Sequence, residues 1–590
     1  MYVYGAGTVR FWSLGSTQYI DNARVRKWVG FDPLTVVGIE QNGPLNYWTG
    51  MTSTDWNTPT NWSSGSVPVL SSNIAIFNAS NYPIITASQS VSCNNITIEP
   101  SARVTIETGG TLTVGGTLTI NSVGPANSGS LVVNGTLTTA GAVTYNRYMP
   151  LGSAWHYVSS PLSLTTDPSG SFWAWDEAAG DWSPGTIARP LSGRGYTVRA
   201  YGDNVAFTGS LVTSDIDIST TSPYLNPFDG SDYSIRAYTT GRNGTTGYGG
   251  GGWNLLGNPY PSAMNVSAFI NANYNTDYNL SKFDPNYVAL YLYNGTTYQY
   301  VTKNDMGWNL TWPNGEYLNA THIQVGQGFF VLTMNDQATF RFSGIMQGHN
   351  TNVSLLKSAK VSYRWPGLQL KARYGENENL TTIVFHDDMT LGLDAGYDIG
   401  LMRSGSDLEI YTTLVEDNGI NFTLQSLPEN GAVKNIIPVG VDFETGGQVI
   451  FSADVEPSSN YKYWLEDRLT GVVTDLGTNS YTVNLPVKTL GTGRFFIYVA
   501  AGRSIEPRTN NAHILDIRIW ASNKRQVNIQ GSLSDKAICE VFDAKGQKVF
   551  ETRLGDGGLN SFVISSVNNG VYFVKVTDGI KVFSQKVLLL

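Results

Sequence analysis

Cysteine, histidine, charge and long apolar runs are all scarce in this chain, and each scarcity excludes something. Only two cysteines occur, Cys93 and Cys539, far apart in sequence. That excludes a disulfide framework and a four-cysteine zinc site. The five histidines, His156, His322, His349, His386 and His513, show no HExxH spacing, so a catalytic transition-metal site has no support. Charged residues make up 14% of the chain, and the formal net charge of −9 is spread along its length. Phosphate binding needs clustered Lys and Arg, so nucleic acid is not an expected partner. There is no apolar run of about 18 residues, and no transmembrane helix is expected. The opening MYVYGAGTVRFWSLG lacks a basic stretch followed by an apolar core, so it does not read as a signal peptide.

What is abundant points one way. The chain of 590 residues has 63 glycines and 12% aromatics, a balance that suits packed β-structure with frequent tight turns rather than disorder. Short alternating runs end in Gly, Asn, Asp or Pro, which is the strand-and-turn signature. Helical periodicity is nearly absent, and the best candidate is Pro261 to Asn273. The expected fold class is all-β and multidomain, with a short β-solenoid-like segment, β-sandwiches and a C-terminal immunoglobulin-like sandwich. The expected spans are 41–146 for a Trp-rich entry and the solenoid, 147–350 and 351–503 for β-sandwich domains, and 508–590 for the last module. Residues 502–511 read as a linker.

The solenoid expectation rests on an irregular repeat in 94–145: NITIEP, RVTIETGG, TLTVGG, TLTINS, LVVNG and TLTT. Each segment offers two or three β-branched or Leu residues and then a turn. Strands this short bury a face only by stacking coils, and an ordinary β-meander is the alternative. Trp48, Trp56 and Trp62 precede this repeat, while Trp173, Trp175 and Trp182 follow it. Such rings either fill a core or line a sugar-binding platform, and Trp173, Trp175 and Trp182 are the candidate glycan contacts. Asp176, Glu177 and Asp181 lie beside them. A glycosidase needs two carboxylates about 5–9.5 Å apart, and nothing in the sequence makes two converge. No GxSxG elbow occurs, and Gly249–Gly252 lacks the GK(S/T) ending of a phosphate loop. No catalytic residue is assigned. His386, Asp387, Asp388, Asp394 and Asp398 offer hard oxygen donors of the kind calcium takes, but without EF-hand spacing. No cofactor is expected beyond a structural calcium of that kind.

The C-terminal pattern is more specific. ICEVFDAKGQKVFETRL, SSVNNGVYFVKVTDG and KVFSQKVLLL give short strands separated by the turns Asp543–Gly546 and Asn569–Gly570. This succession resembles the type A C-terminal sorting domain of type IX secretion substrates, with its D-x-x-G-(+) turn, G-x-Y-x-(V/I)-(+) strand and closing K-(V/I) strand. Asp543, Gly546, Lys548, Gly570, Tyr572, Lys575 and Lys586 fall on the motif positions, and the match covers about 513–590. The resemblance implies export by the type IX secretion machinery of a Gram-negative bacterium, removal of the domain, and release or attachment to surface lipopolysaccharide.

The remainder resembles the large modular surface proteins that carry this signal. The phrases shared with them are WTGMTSTDWNTPTNWSSGSVP, WHYVSSPL, GWNLLGNPYPS, VGQGFFV and YWLEDRLTGVVTDL. Residues 1–40 look like the final strands of a lectin-like jelly roll, so an upstream part holding the rest of it and a signal peptide is expected. The functional expectation is adhesion or contact with extracellular polysaccharide, without catalysis. The rivals are a secreted carbohydrate-active enzyme and a purely structural stalk.

Overall fold

A computed structural model describes residues 45–124, 127–149, 155–199, 205–222, 252–277, 280–293, 298–302, 322–334, 337–349, 365–403, 406–414, 420–429, 436–456, 461–501 and, with short interruptions, 517–589. The jelly-roll expectation for 1–40 and the linker at 502–511 lie outside these residues. The described chain is all-β and built from several sheets, with a solenoid at its start.

In the solenoid each coil contributes one strand to each of three parallel sheets. Ile74–Ile76 stacks on Ile96–Ile98, which stacks on Leu118–Val123, which stacks on Val143–Arg147. The other two sheets run through Ile84–Ile85, Arg103–Ile106 and Ser130–Val133, and through Ser90–Cys93, Thr111–Val114 and Thr136–Thr139. Alternation explains the stacking. In TLTV, Leu112 and Val114 point inward and are buried, while Thr111 and Thr113 point out. Each buried Leu, Ile or Val contributes about 1.5–3 kcal/mol, so a coil becomes stable only by sharing its core with neighbours. The entry end is filled by Trp48, Trp56 and Trp62, all buried and packed edge to face at 5.0 and 4.9 Å. Trp48 Nε1 donates to the Asn81 carbonyl and Trp62 Nε1 to that of Trp56.

At the far end the chain solves an edge problem. Val143–Arg147 would expose unpaired N–H and C=O groups, but Val205–Leu211 pairs with it antiparallel, and Leu162–Leu164 pairs beyond that. The solenoid core continues into Phe172, Tyr196 and Val198. These residues lie on one face of the sheet formed by Trp155–Ser159, Gly195–Arg199, Phe172–Asp176 and Asp181–Trp182. Its other face carries Tyr157, which joins a core with Trp253, Tyr291 and Phe330.

Phe330 and Trp253 belong to a four-stranded sheet, Trp253–Gly257, Gly328–Leu332, Leu290–Tyr293 and Tyr298–Val301. One side of that sheet packs on the helix Val266–Asn273 through Phe269 and Ile270. The helix starts later than the sequence pattern suggests, because the Asn265 side chain accepts the Ala268 N–H at 2.8 Å and fixes the N-terminus there. The other side meets the outer face of an eleven-stranded sheet through Val384, Phe422 and Leu424. That sheet, within 367–501, folds over its own core: Phe451 meets Phe495 at 4.8 Å, and Phe385 lies beside Tyr463.

Three of the recurrent phrases converge on one joint. Gly257 of GWNLLGNPYPS lies so close to Ser159 of WHYVSSPL that an added Cβ would sit 2.3 Å from the Ser159 Cβ. The Ser159 N–H donates to the Gly326 carbonyl, and the Asn258 N–H to that of Gln327, both in VGQGFFV. The fully buried Asn258 side chain donates to the carbonyls of Ser262, Ile323 and Gln324 and accepts the Tyr260 N–H. Asn258→Ala strands several buried carbonyls and an N–H at once, so unfolding stability should fall by roughly 3 kcal/mol, measurable as a lowered thermal midpoint.

A second tie is acid-sensitive. The His349 ring nitrogens bond the hydroxyls of Thr105 and Ser130 on the solenoid at 2.8 and 2.9 Å. Burial, with a smaller contribution from Arg103, pushes the imidazole down to about 4. The unfolded chain therefore takes up a proton near pH 6.5 that the native state refuses. The stability this tie supplies is full above pH 6.5 and is lost as pH falls toward 4. Equilibrium unfolding between pH 7 and 4 should show that slope, and His349→Gln should flatten it.

Candidate functional site

The C-terminal module comprises a three-stranded sheet, Arg518–Ser522, Gln526–Gln530 and Leu559–Val563, and a four-stranded sheet, Lys548–Arg553, Ile538–Asp543, Gly570–Asp578 and Lys581–Leu589. Both close over Val541, Val574 and Val576. Alternation in GVYFVKVTD sends Tyr572, Val574 and Val576 inward and leaves Val571, Phe573 and Lys575 outward.

The turn residues earn their identities locally. The Asp543 carboxylate accepts the N–H groups of Lys545 and Gln547, both at 2.9 Å, and its carbonyl accepts the Gly546 N–H. Gly546 sits at φ +79°, a left-handed conformation in which a side chain is strained. The pairing then slips further along the hairpin, between Val541 and Phe542, where Val549 is the extra residue of a bulge. Tyr572 is buried, and its hydroxyl donates to the Asn568 carbonyl at 2.8 Å, pinning the start of its own strand. Gly570 departs from expectation. It is not a turn residue but the first residue of that strand, opposite Leu589. Lys586 sits opposite Phe573 in the last strand.

Lys548 and Lys575 come together through a residue that the sequence reading missed. Glu540 lies between them on the middle strand, its two oxygens 3.2 Å from Lys548 Nζ and 3.0 Å from Lys575 Nζ. Lys548 also reaches Glu551 at 2.5 Å. Lys575 and then Lys548 hold the Glu540 carboxyl below the usual carboxylate range. The lysines are exposed and Glu540 is partly so, so this ladder orders side chains more than it stabilises the fold. Period-two alternation places Glu540 on the outer face; which residue it faces depends on register.

The candidate glycan aromatics separate into two sets. Trp175 meets Trp182 and Phe330 edge to face, both at 5.4 Å, and its Nε1 donates to the Trp253 carbonyl at 2.9 Å. Trp182 also packs on Tyr157. Both are partly buried against the core between sheets. Trp173 instead pairs edge to face with the exposed Trp155 at 5.0 Å.

The carboxylates nearby are engaged in local structure. Asp176 accepts the Ala179 N–H, Asp181 its neighbour Trp182 N–H, and buried Glu177 the Gly252 N–H at 2.8 Å. Of the four-glycine run, Gly252 is the one described residue.

Around His386 the acidic side chains also cap backbone. Asp394 accepts the Thr390 N–H, and the fully buried Asp398 accepts those of Asp394 and Ser426, both at 2.7 Å. Burial raises the Asp398 carboxyl well above the usual range, against the pull of those N–H groups. Among the described residues, no group of three or more His, Cys, Asp or Glu side chains is arranged to hold a metal ion.

Comparison with known proteins agrees with the terminal module. Residues 523–589 match the Secretion system C-terminal sorting domain. The chain is therefore an all-β substrate of type IX secretion, delivered outside the cell or to its surface. Residues 47–498 match the family described as Domain of unknown function (DUF8693), and the chain belongs to that family. No curated protein matches it. A solved structure described as "Biofilm associated protein - BSP domain" aligns over 75% of this chain and 91% of its own, at 10% identity and a TM-score of 0.14. That score is too low to support an argument.

Gly546→Val forces a β-branched residue into the left-handed region and should cost about 1–3 kcal/mol. Hydrogen exchange at the Phe542 and Tyr572 amides of the full chain should speed up, while that at Ile96 and Leu118 stays unchanged.

Proposed function

We propose that the exported chain is a non-catalytic surface protein whose β-body contacts extracellular polysaccharide, and that the terminal module is removed on delivery. The sorting-domain match carries the delivery half of this reading. The contact half is supported by the build of the body. Four cores fill 46–501, two of them shared between the solenoid and the sheets that follow or between those sheets, so the chain presents wide sheet faces on a supported frame. Polar and aromatic side chains on such faces are held in place before a ligand arrives, which lowers the ordering cost of binding. In a type IX host, delivery ends in release or in attachment to surface lipopolysaccharide.

Two measurements test the two halves. A fluorescent reporter with a signal peptide and residues 508–590 should reach the outside of a host with type IX secretion; retention in the periplasm would count against delivery by this module. The purified full chain should bind at least one extracellular polysaccharide without releasing reducing ends. Release of reducing ends would favour a carbohydrate-active enzyme, and absence of binding to any polymer would leave a structural stalk.

A further inference from the structure

The solenoid's longest sheet has an outer face with a regular composition. Six strands line up edge to edge from Asn46–Trp48 to Val205–Leu211. At about 4.8 Å per strand they span roughly 24 Å. Two side-chain rows cross them at right angles. In the first, Tyr47 stands over Ala75, followed in register by Thr97, Thr119, Thr144 and Thr208. The Thr144 and Thr208 hydroxyls bond each other at 3.0 Å.

In the second row the Asn146 amide donates to Asn121 at 2.8 Å, and Asn121 donates to Glu99 at 3.1 Å. Phe77 follows directly after Ile76, whose carbonyl accepts the Glu99 N–H at 2.9 Å. The rings of Tyr47 and Phe77 meet edge to face at 5.8 Å and are 43% and 41% exposed. An exposed ring pair keeps apolar surface in water, and a partner that covers it gains the free energy of burying that surface.

We propose that this face is a polysaccharide-binding surface that takes a neutral, extended pyranose chain laid along the solenoid axis, across the strands. The inference rests on the polysaccharide reading above and goes beyond it by naming the surface and the class of polymer. A sugar unit is about as long as the ~5 Å strand spacing, so successive units meet successive rungs. The threonine hydroxyls and asparagine amides both donate and accept, as sugar hydroxyls do. The amide chain is already bonded along its row, so its orientation is set before binding. The exposed Tyr47 and Phe77 rings offer apolar faces to the C–H side of a sugar ring.

The rows carry no Lys or Arg, and their one charge is Glu99. That composition disfavours a polyanion. The opposite sheet supplies an internal contrast. Ser90, Thr111 and Thr136 also stack there, but on fewer strands, and that row ends without an aromatic ring.

The test uses the full chain in affinity electrophoresis against mixed-linkage β-glucan, xylan, galactomannan and alginate, with circular dichroism on every variant. The expected result is retardation by at least one of the three neutral polymers and not by alginate. Tyr47→Ala combined with Phe77→Ala should weaken the retarding interaction at least tenfold, and Thr119→Lys, which places a bulky charge mid-row, should do the same. Thr111→Ala on the opposite sheet and Trp173→Ala should leave it unchanged. Should a neutral polymer bind while both face variants bind equally well, this surface is wrong and the polysaccharide reading survives. Preferential retardation by alginate overturns the assigned polymer class. Failure of the wild-type chain to bind any polymer overturns the polysaccharide reading and this inference with it.

Discussion

A stack of parallel β-coils has two open ends, and the rest of this structure follows from how they are closed. Each end strand presents a row of unpaired backbone groups and an uncovered apolar core. At the entry end Asn46–Trp48 pairs with the first coil and three tryptophans fill the core, two of them with indole hydrogen bonds to backbone carbonyls. The far end needs a partner strand, and Val205–Leu211 supplies it by reversing direction against Val143–Arg147. Because that strand belongs to the following segment, the solenoid core cannot end where the repeat ends. It runs on into Phe172, Tyr196 and Val198.

This closure gives the recurrent phrases a physical meaning. WHYVSSPL, GWNLLGNPYPS and VGQGFFV are spread over almost two hundred residues of sequence, yet their glycines, serines and buried asparagine occupy one joint. Their residue types are those of close backbone approach, as at Gly257, and of buried polar groups bonded to backbone, as at Asn258. The tryptophans Trp175 and Trp182 belong with the joint, since they fill the space between two sheets.

Much of the fold was legible because its signals are local. TLTV and TLTI show which residues face inward wherever the strand lies, and Asp543-Ala-Lys-Gly546 encodes its own turn through an Asx acceptor and a left-handed glycine. Features that depend on register were not legible. Glu540 reads as an ordinary outward carboxylate until pairing puts Lys548 and Lys575 on either side. Gly570 reads as a turn because Asn-Gly favours one, but its pairing with Leu589 makes it the start of a strand. The rows of Thr97, Thr119 and Thr144 likewise need the coil-to-coil alignment, which a later hairpin, Leu118–Val123 with Asn127–Ser128, shifts by several residues.

The central claim is that the solenoid and the sheets after it share cores and so stand or fall together. Differential scanning calorimetry of the full chain, with hydrogen exchange followed by mass spectrometry at each temperature, tests it directly. The account predicts that peptides from 96–120, 143–147, 205–211 and 367–385 lose protection in one shared transition, separate from that of 538–578. Loss of protection in 96–147 at a temperature well apart from that of 205–211 and 367–385 would contradict it.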